Sequence, residues 1–306
     1  MTDATLDVDG RAVPFSHPDK VLFPDDGLTK ADLADYYRRV APVMLPHLAE
    51  RPLTLHRFPD GIGADGFYQQ NRSDHFPDWL PGRRLDHGGD TGEVHHILCQ
   101  RAADLVYLAG QGTLTLHAWL SHADRPQRPD QLVFDLDPPG GDFEPVRQAA
   151  RQVRDALRQA GLTPFLKTTG SRGLHVVAPL KPVADFNRVR RACRRLSDHL
   201  AARHPDQLTT EQRKNKRRGR LYLDIQRNAF GQTAVAPYAV RARPGAPVAT
   251  PLDWHELDDP ALGPRRYTLG NLFRRLGQKD DPWAGMARHA ADPAVLEHAL
   301  EEWDQG

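Results

Sequence analysis

In the stretch Leu132-Val133-Phe134-Asp135-Leu136-Asp137-Pro138-Pro139, large apolar side chains alternate with acids, and two prolines follow. A strand turns successive side chains to opposite faces. Leu132, Phe134 and Leu136 are therefore expected on one face, with Asp135 and Asp137 side by side on the other. Proline donates no backbone hydrogen, which ends the ladder and leaves the acids at its C-terminal edge. Two like charges this close repel unless a cation sits between them. A divalent-metal site and a solvated acidic edge both satisfy these eight residues.

The pattern continues in a recognisable order. "GDFEPVRQAARQVRDALRQAGL" places Val146, Ala149, Val153, Ala156, Leu157 and Ala160 on one helical stripe, with Asp142 as expected N-cap and Gly161 just past the end. "TPFLKTTGSRGLHVVAPL" reads as strand, glycine turn, strand. Asp185 caps a second helix through Val189, Ala192, Cys193, Leu196 and Leu200. A charged loop (203–219) then leads into "GRLYLDIQRN", where Leu221, Leu223 and Ile225 alternate with Tyr222, Asp224 and Gln226. The order β-α-β-β-α-β over about 131–226 predicts a ferredoxin-like antiparallel sheet with helices on one face. Its first strand is central, so Asp224 is expected to converge with Asp135 and Asp137.

The flanking regions are less regular. Residues 1–20 read as a short strand or extended arm. Thr29 opens a capping-box-like helix with Leu33, Tyr36, Tyr37 and Val40 at helical spacing. Residues 51–61 read as a strand entering a turn, and 85–98 as a hairpin or mobile loop with glycines at its tip. Residues 104–120 give a helix or strand, then an alternating run ending at His117. Beyond 245 the chain is proline-rich, then helical and acidic.

Composition narrows the class. The chain has 306 residues, 39% hydrophobic and 26% charged, which is that of an ordinary soluble globular protein. No run reaches the ~20 apolar residues of a membrane helix, and no signal-peptide apolar region opens the chain. Cys99 and Cys193 are the only cysteines, which excludes a disulfide scaffold and a cysteine zinc site and agrees with a reducing cytoplasm. A net charge of +1 means that any polyanion must be held by a local patch.

Three carboxylates on one sheet face suit a two-metal site for phosphoryl transfer, with oxygen ligands favouring Mg²⁺ or Mn²⁺. Ser171 and Arg172 sit in a glycine-flanked turn whose amides could cradle phosphate, and His175 lies on the next strand as either a packed core residue or a catalyst. Arg241 and Arg243, two apart in "YAVRARPG", would share one strand face, as a triphosphate grip or a solvated edge. "RKNKRRGR" (213–220), with Arg217 and Arg220, is a solvated loop or a nucleic-acid contact. Lys20 and Lys30 bracket "VLFPDDGLT", with Lys30 in the first turn of a helix where phosphate is favoured. Phe67 and Tyr68 are core residues or a base-stacking platform.

The ordered set of Asp-x-Asp, Ser171-Arg172-Gly173-Leu174-His175 and a later strand aspartate resembles the archaeo-eukaryotic primase superfamily. More closely, "HPDKVLFPDDGLTKADLADYY", "VFDLDPP", "GSRGLHVVAPL", "LYLDIQRN" and "YAVRARPGAPVATPL" are similar to the polymerase domain of bacterial ligase D, over about residues 10–300. The resemblance implies an α+β primase-type fold with a ferredoxin/RRM-like catalytic module and a flanking N-terminal α/β region. It implies one primase-polymerase domain over 1–306, with DNA-end contacts in about 1–125, the catalytic sheet in 126–250 and a helical segment in 251–306.

By the same resemblance, Asp135, Asp137 and Asp224 would hold two Mn²⁺ or Mg²⁺ ions. Thr169, Ser171, Arg172 and His175 would contact the nucleotide, and Arg241 and Arg243 the triphosphate, with Arg57 and His117 near it. Lys20 and Lys30 would bind the 5′-phosphate of a recessed DNA end, and Phe67 and Tyr68 would stack on template bases. Segments 84–95 and 209–219 match two mobile loops that align ends. Implied partners are DNA with a double-strand break or a 5′-phosphorylated gap, NTP or dNTP with a preference for ribonucleotides, Ku, and a separate or fused ligase. The implied setting is the cytoplasm, at the nucleoid, with no membrane.

His56 stands where some relatives have lysine, and Tyr68 where they have a second phenylalanine. No Lys-x-Asp-Gly adenylation motif occurs. A non-catalytic DNA-end-bridging module is the alternative of another class; acids facing DNA phosphates argue against it. A sugar transferase using Asp-x-Asp leaves the basic loop and lysine pair without a role.

Overall fold

The computed structural model describes residues 3–88 and 92–305. In chain order the elements are β1 (Asp3–Val8), β2 (Arg11–Ser16), β3 (Val21–Phe23), β4 (Leu28–Thr29), α1 (Lys30–Leu48), β5 (Leu53–Arg57), β6 (Phe67–Gln69), β7 (Gly82–Asp86), β8 (Glu93–Ile97), α2 (Ala102–Gly110) and β9 (Thr113–Trp119). Then follow β10 (Gln131–Leu136), α3 (Glu144–Gln159), β11 (Phe165–Thr168), β12 (Leu174–Pro179), α4 (Phe186–Arg203), β13 (Leu208–Thr209), β14 (Leu221–Asp224), β15 (Thr233–Val235), β16 (Pro251–Leu252), α5 (Leu272–Leu276) and α6 (Ala294–Gln305).

The chain divides into two compact units. One comprises residues 1–119, 233–250 and 267–281; the other comprises 120–232, 251–266 and 282–306. The fold class is mixed α and β with antiparallel sheets, as the pattern predicts.

The second unit carries the predicted sheet. Its strand order is β13-β14-β10-β12-β11-β16, antiparallel except for the β13–β14 pair. Within it β14-β10-β12-β11 is the ferredoxin-like order, with the first strand central. Leu132, Phe134 and Leu136 are buried, as the period-two pattern requires. α3 packs on β10, β12 and β14 through Val146, Ala149, Ala150 and Val153. α4 starts where Asp185 accepts from the Arg188 amide. Asp142 does not cap α3: Phe143 occupies that position and Asp142 Oδ1 accepts from the Glu144 amide 3.0 Å away, an Asx-type turn before the helix. The strand read through Gln226 stops at Asp224, because residues 226–228 form a 3₁₀ turn.

The first unit holds a sheet in the order β15-β9-β5-β8-β7, with β6 also on β5, beside the hairpins β1–β2 and β3–β4. Thr29 and Asp32 form the predicted capping box of α1. α1 packs on α2 around Leu33, Tyr36, Tyr37, Val40 and Met44, all essentially buried. β7 and β8 form the hairpin expected within 85–98; residues 89–91 of that segment, and of the 84–95 loop, lie outside the described residues. Among the described residues no helix is long and apolar enough to cross a membrane.

Candidate active site

The predicted site residues fall into two sets, one in each unit. In the second unit the antiparallel ladder places Asp224 of β14 and His175 of β12 on either side of Asp135, and Lys167 of β11 beside His175. Residues directly opposite in such a ladder share a face with Cβ atoms about 4.5–5.5 Å apart. One face thus carries the row Lys167, His175, Asp135, Asp224. Asp137 follows immediately after β10 with the same parity.

Asp135 is clamped at both oxygens. Its Oδ1 lies 3.3 Å from His175 Nε2, and its Oδ2 accepts from Arg227 Nε at 3.3 Å. Burial alone would raise the Asp135 carboxyl, but His175 and Arg227 outweigh it and hold the group well below the usual carboxylate range. His175 is pushed down to about 4, mainly by burial and by Lys167, so its ring is neutral near pH 7 and donates Nε2–H to the carboxylate. Asp137 and Asp224 shift the other way. Desolvation raises both, Asp135 adds like charge to each, and Arg172 and Arg227 oppose the rise at Asp137.

Two residues of this cluster were not legible as such. Arg227 sits in the 3₁₀ turn after β14, and that turn is tied to β10 by buried Asn228, which accepts from the Val133 amide (2.8 Å) and donates to the Val133 carbonyl (2.7 Å). Lys167 is 2% exposed in a strand. A lysine inside "FLKTTG" one strand from the acids was the available signal.

The glycine turn 169–173 meets the end of β10 closely. A Cβ on Gly173 would fall 1.9 Å from the Leu136 carbonyl oxygen, so only glycine fits there. The turn is not an open amide cradle, however. The amides of Ser171, Arg172 and Gly173 all point at Thr169 Oγ1, at 3.3, 3.3 and 3.1 Å. Arg172 is exposed and donates to the Pro138 carbonyl. In the basic loop, Arg217 donates to the carbonyls of Glu211 and Gln212 and lies over the Tyr222 ring, and Arg220 donates to the Arg217 carbonyl. These two hold the loop's shape. Arg213, Lys214, Lys216 and Arg218 are its exposed charges.

In the first unit Lys20 and Lys30 are joined through the backbone, the Lys30 amide donating to the Lys20 carbonyl at 2.8 Å. Lys20 Nζ pairs with Asp60 at 2.6 Å. Lys30 Nζ donates to the Ser16 carbonyl, and burial together with nearby Lys20 lowers its ammonium. Phe67 and Tyr68 are 47% and 62% exposed, so the core reading fails for both. Arg57 is bound to the Gln111 carbonyl and to Gln69, and lies over the Phe67 ring. His117 on β9 meets Tyr68 edge-on at 5.8 Å. Arg241 and Arg243 do not share a strand face. They lie in a turn beyond the Val240–Val248 bridge, where the Arg241 amide donates to Pro247, Arg243 to Arg241, and Gly245 to Asp26. Pro244 and left-handed Gly245 (φ 84°) make that turn in place of a strand.

Among the described residues no group of three or more His, Cys, Asp or Glu side chains is arranged to hold a metal ion. The donor chemistry nevertheless fits a hard divalent cation: Asp135, Asp137 and Asp224 are all oxygen donors, and each of Asp137 and Asp224 is raised by the charge of Asp135, a repulsion that a cation relieves.

Three acids at the ends of two adjacent antiparallel strands, with arginines set around them, have the chemistry that a nucleotidyltransferase-type enzyme needs. Residues 29–283 match the family described as LigD, primase-polymerase domain, and the chain belongs to that family, which is metal-dependent. It is 34% identical over 278 residues to the multifunctional non-homologous end joining DNA repair protein LigD of Mycobacterium tuberculosis, covering 88% of this chain and 36% of that protein. With the bifunctional non-homologous end joining protein LigD of Bacillus subtilis it shares 30% over 292 residues, covering 94% and 46%. The chain thus spans between about a third and a half of the length of these curated relatives. Among solved structures, the polymerase domain from Mycobacterium tuberculosis ligase D in complex with DNA matches with a TM-score of 0.85 at 33% identity, covering 91% of this chain and 99% of that one.

Proposed function

We propose that this chain is a DNA-templated polymerase of the primase type that fills gaps and extends ends during non-homologous end joining, with a preference for ribonucleotides. The observation that supports this best is the register that sets Asp135 opposite Asp224, with Asp137 one step beyond the strand. When bound, two Mn²⁺ or Mg²⁺ ions held by these three carboxylates would offset charge on the attacking and leaving oxygens. His175 fixes the orientation of Asp135 by donating Nε2–H to it. Arg241 and Arg243 grip the triphosphate, with Arg57 and His117 beside it and Thr169, Ser171 and Arg172 at the nucleotide. Lys20 and Lys30 take the 5′-phosphate of the DNA end. Phe67 and Tyr68 take template bases, and their exposure supports that role. Backbone contacts fall to Arg213, Lys214, Lys216 and Arg218 more than to Arg217 and Arg220. Ku and a ligase are the partners of this reaction.

Primer extension on gapped, 5′-phosphorylated DNA with labelled ribo- and deoxyribonucleotides tests the reading. Extension that requires Mn²⁺ or Mg²⁺ and copies the template is expected. DNA binding without incorporation under either metal would replace it with the end-bridging role.

A further inference from the structure

His56 occupies a position where charge and shape point in different directions. On β5 it is paired in register with Tyr68 of β6 on one side and with Thr115 of β9 on the other. Its imidazole lies parallel to the Tyr68 ring, with centroids 4.1 Å apart and an interplanar angle of 10°. Phe58 closes against His56 at 4.5 Å, its ring tilted by 58°. That closure depends on Gly66, where a Cβ would fall 2.5 Å from the Phe58 ring. The result is a cluster of three rings in which His56 and Tyr68 are stacked and Tyr68 is 62% exposed. His117 meets Tyr68 in a T-shaped contact with centroids 5.8 Å apart.

We propose that His56 is a positioning residue, a ring that backs Tyr68 and holds it flat as a platform for a nucleobase, in place of the phosphate-binding cation some relatives carry there. The proposal rests on the reading of Tyr68 as a base-stacking side chain. Offset parallel rings at this spacing resist rotation of Tyr68 out of plane, and a base gains most from a platform that is already ordered. A protonated His56 would be poorly placed: burial, then the nearby Arg241, push it down to about 4, so it brings no charge to a phosphate near pH 7.

The two roles predict opposite responses to the same substitutions. The probe is gapped DNA with a fluorescent adenine analogue as the first unpaired template base, read by quenching and affinity, with nucleotide KM measured in parallel. Tyr68→Ala is expected to reduce affinity about five- to a hundredfold and to relieve the quenching. His56→Phe, which keeps a ring and no charge, should stay within about twofold of wild type in quenching and KM. His56→Gln and His56→Lys, which lose the ring, should each relieve quenching and cost at least about threefold in affinity. Thermal melts of all four variants separate these effects from misfolding. If His56→Lys lowers nucleotide KM while His56→Phe raises it, His56 is a phosphate ligand and the proposal falls. If Tyr68→Ala relieves quenching but His56→Gln does not, the platform stands without its prop and the proposal alone falls. If Tyr68→Ala changes nothing, the stacking role of Tyr68 fails and the proposal goes with it.

Discussion

The two units hold their charged side chains by different means. In the second, Asp135, Asp224, His175 and Lys167 stand in one row because adjacent strands put them there, residue opposite residue. In the first, Lys20, Arg241 and Arg243 sit on turns, each positioned by carbonyls, glycine conformations or a neighbouring acid. A ladder fixes side-chain position through many backbone bonds at once, whereas a turn fixes it through two or three. The acids should therefore tolerate no change of chemistry, and the turn-borne cations should show graded losses.

The largest effect is expected at the acids. Asp135→Asn, Asp137→Ala and Asp224→Ala should each retain less than about a tenth of nucleotide incorporation, since each removes an oxygen donor and a charge that a divalent ion needs. Binding to gapped DNA should hold or tighten, because a negative charge beside a polyanion is gone. Incorporation near wild type in any of the three would remove that residue from the metal set.

Arg241→Lys and Arg243→Lys come next. Lysine restores the charge but not the two-pronged guanidinium geometry. A lost charged hydrogen bond is worth about 1.5–3 kcal/mol, so nucleotide KM should rise roughly ten- to a hundredfold with DNA affinity little changed. Nucleotide titrations beside gel shifts on the same DNA check this. Loss of DNA affinity with normal nucleotide dependence would move both arginines to the DNA surface.

This contrast also explains what the sequence made legible. The β-α-β-β-α-β order and the Asp-x-Asp period are local, and strand geometry converts them directly into a central β10 with its acids on one face. The Thr29 and Asp185 caps were legible for the same reason, as residue types at fixed offsets from an apolar stripe. Arg227 was not. It lies 92 residues from Asp135, on a turn anchored by an asparagine that mimics a strand partner. Arg241 and Arg243 misled because a spacing of two fits a strand and a turn equally well, and only Pro244-Gly245 hints at the second. Exposure of Phe67 and Tyr68 was equally out of reach, since an adjacent aromatic pair does not say which side of a sheet edge is covered.

A ladder-held group exists in the first unit as well, and acid should expose it. His96 on β8 is fully buried, and burial pushes it from 6.5 down to about 4, with the Leu53 carbonyl opposing the shift and His87 and His95 adding to it. A base with a lowered folded-state pKa binds its proton more readily when unfolded. Its contribution is fully present above about pH 6.5 and is lost as pH falls towards 4, on the order of 3 kcal/mol by the end. His96→Gln should start less stable at pH 7.5 and lose less between pH 6.5 and 4, as followed by urea unfolding at each pH. A parallel decline in both proteins would acquit His96.

The smallest effect is expected at Asp60, and it tests the weaker positioning of the turn-borne cations most directly. Lys20 pairs with Asp60 at 2.6 Å while both side chains remain partly exposed, at 37% and 75%. An exposed pair of this kind is worth about 0–1 kcal/mol, so a phosphate dianion arriving at Lys20 competes with Asp60 at little cost. Removing the competitor should help: Asp60→Asn should tighten binding to 5′-phosphorylated gapped DNA by up to about fivefold and barely alter binding to the same DNA lacking the phosphate. Lys20→Ala should have the opposite sign on the first substrate alone. Raising salt should shrink the difference, since screening weakens the Lys20–Asp60 pair and the Lys20–phosphate contact together. Equal tightening on both substrates would mean that Asp60 repels the DNA backbone in general, and that Lys20 is one more backbone cation with no special claim on the 5′-phosphate.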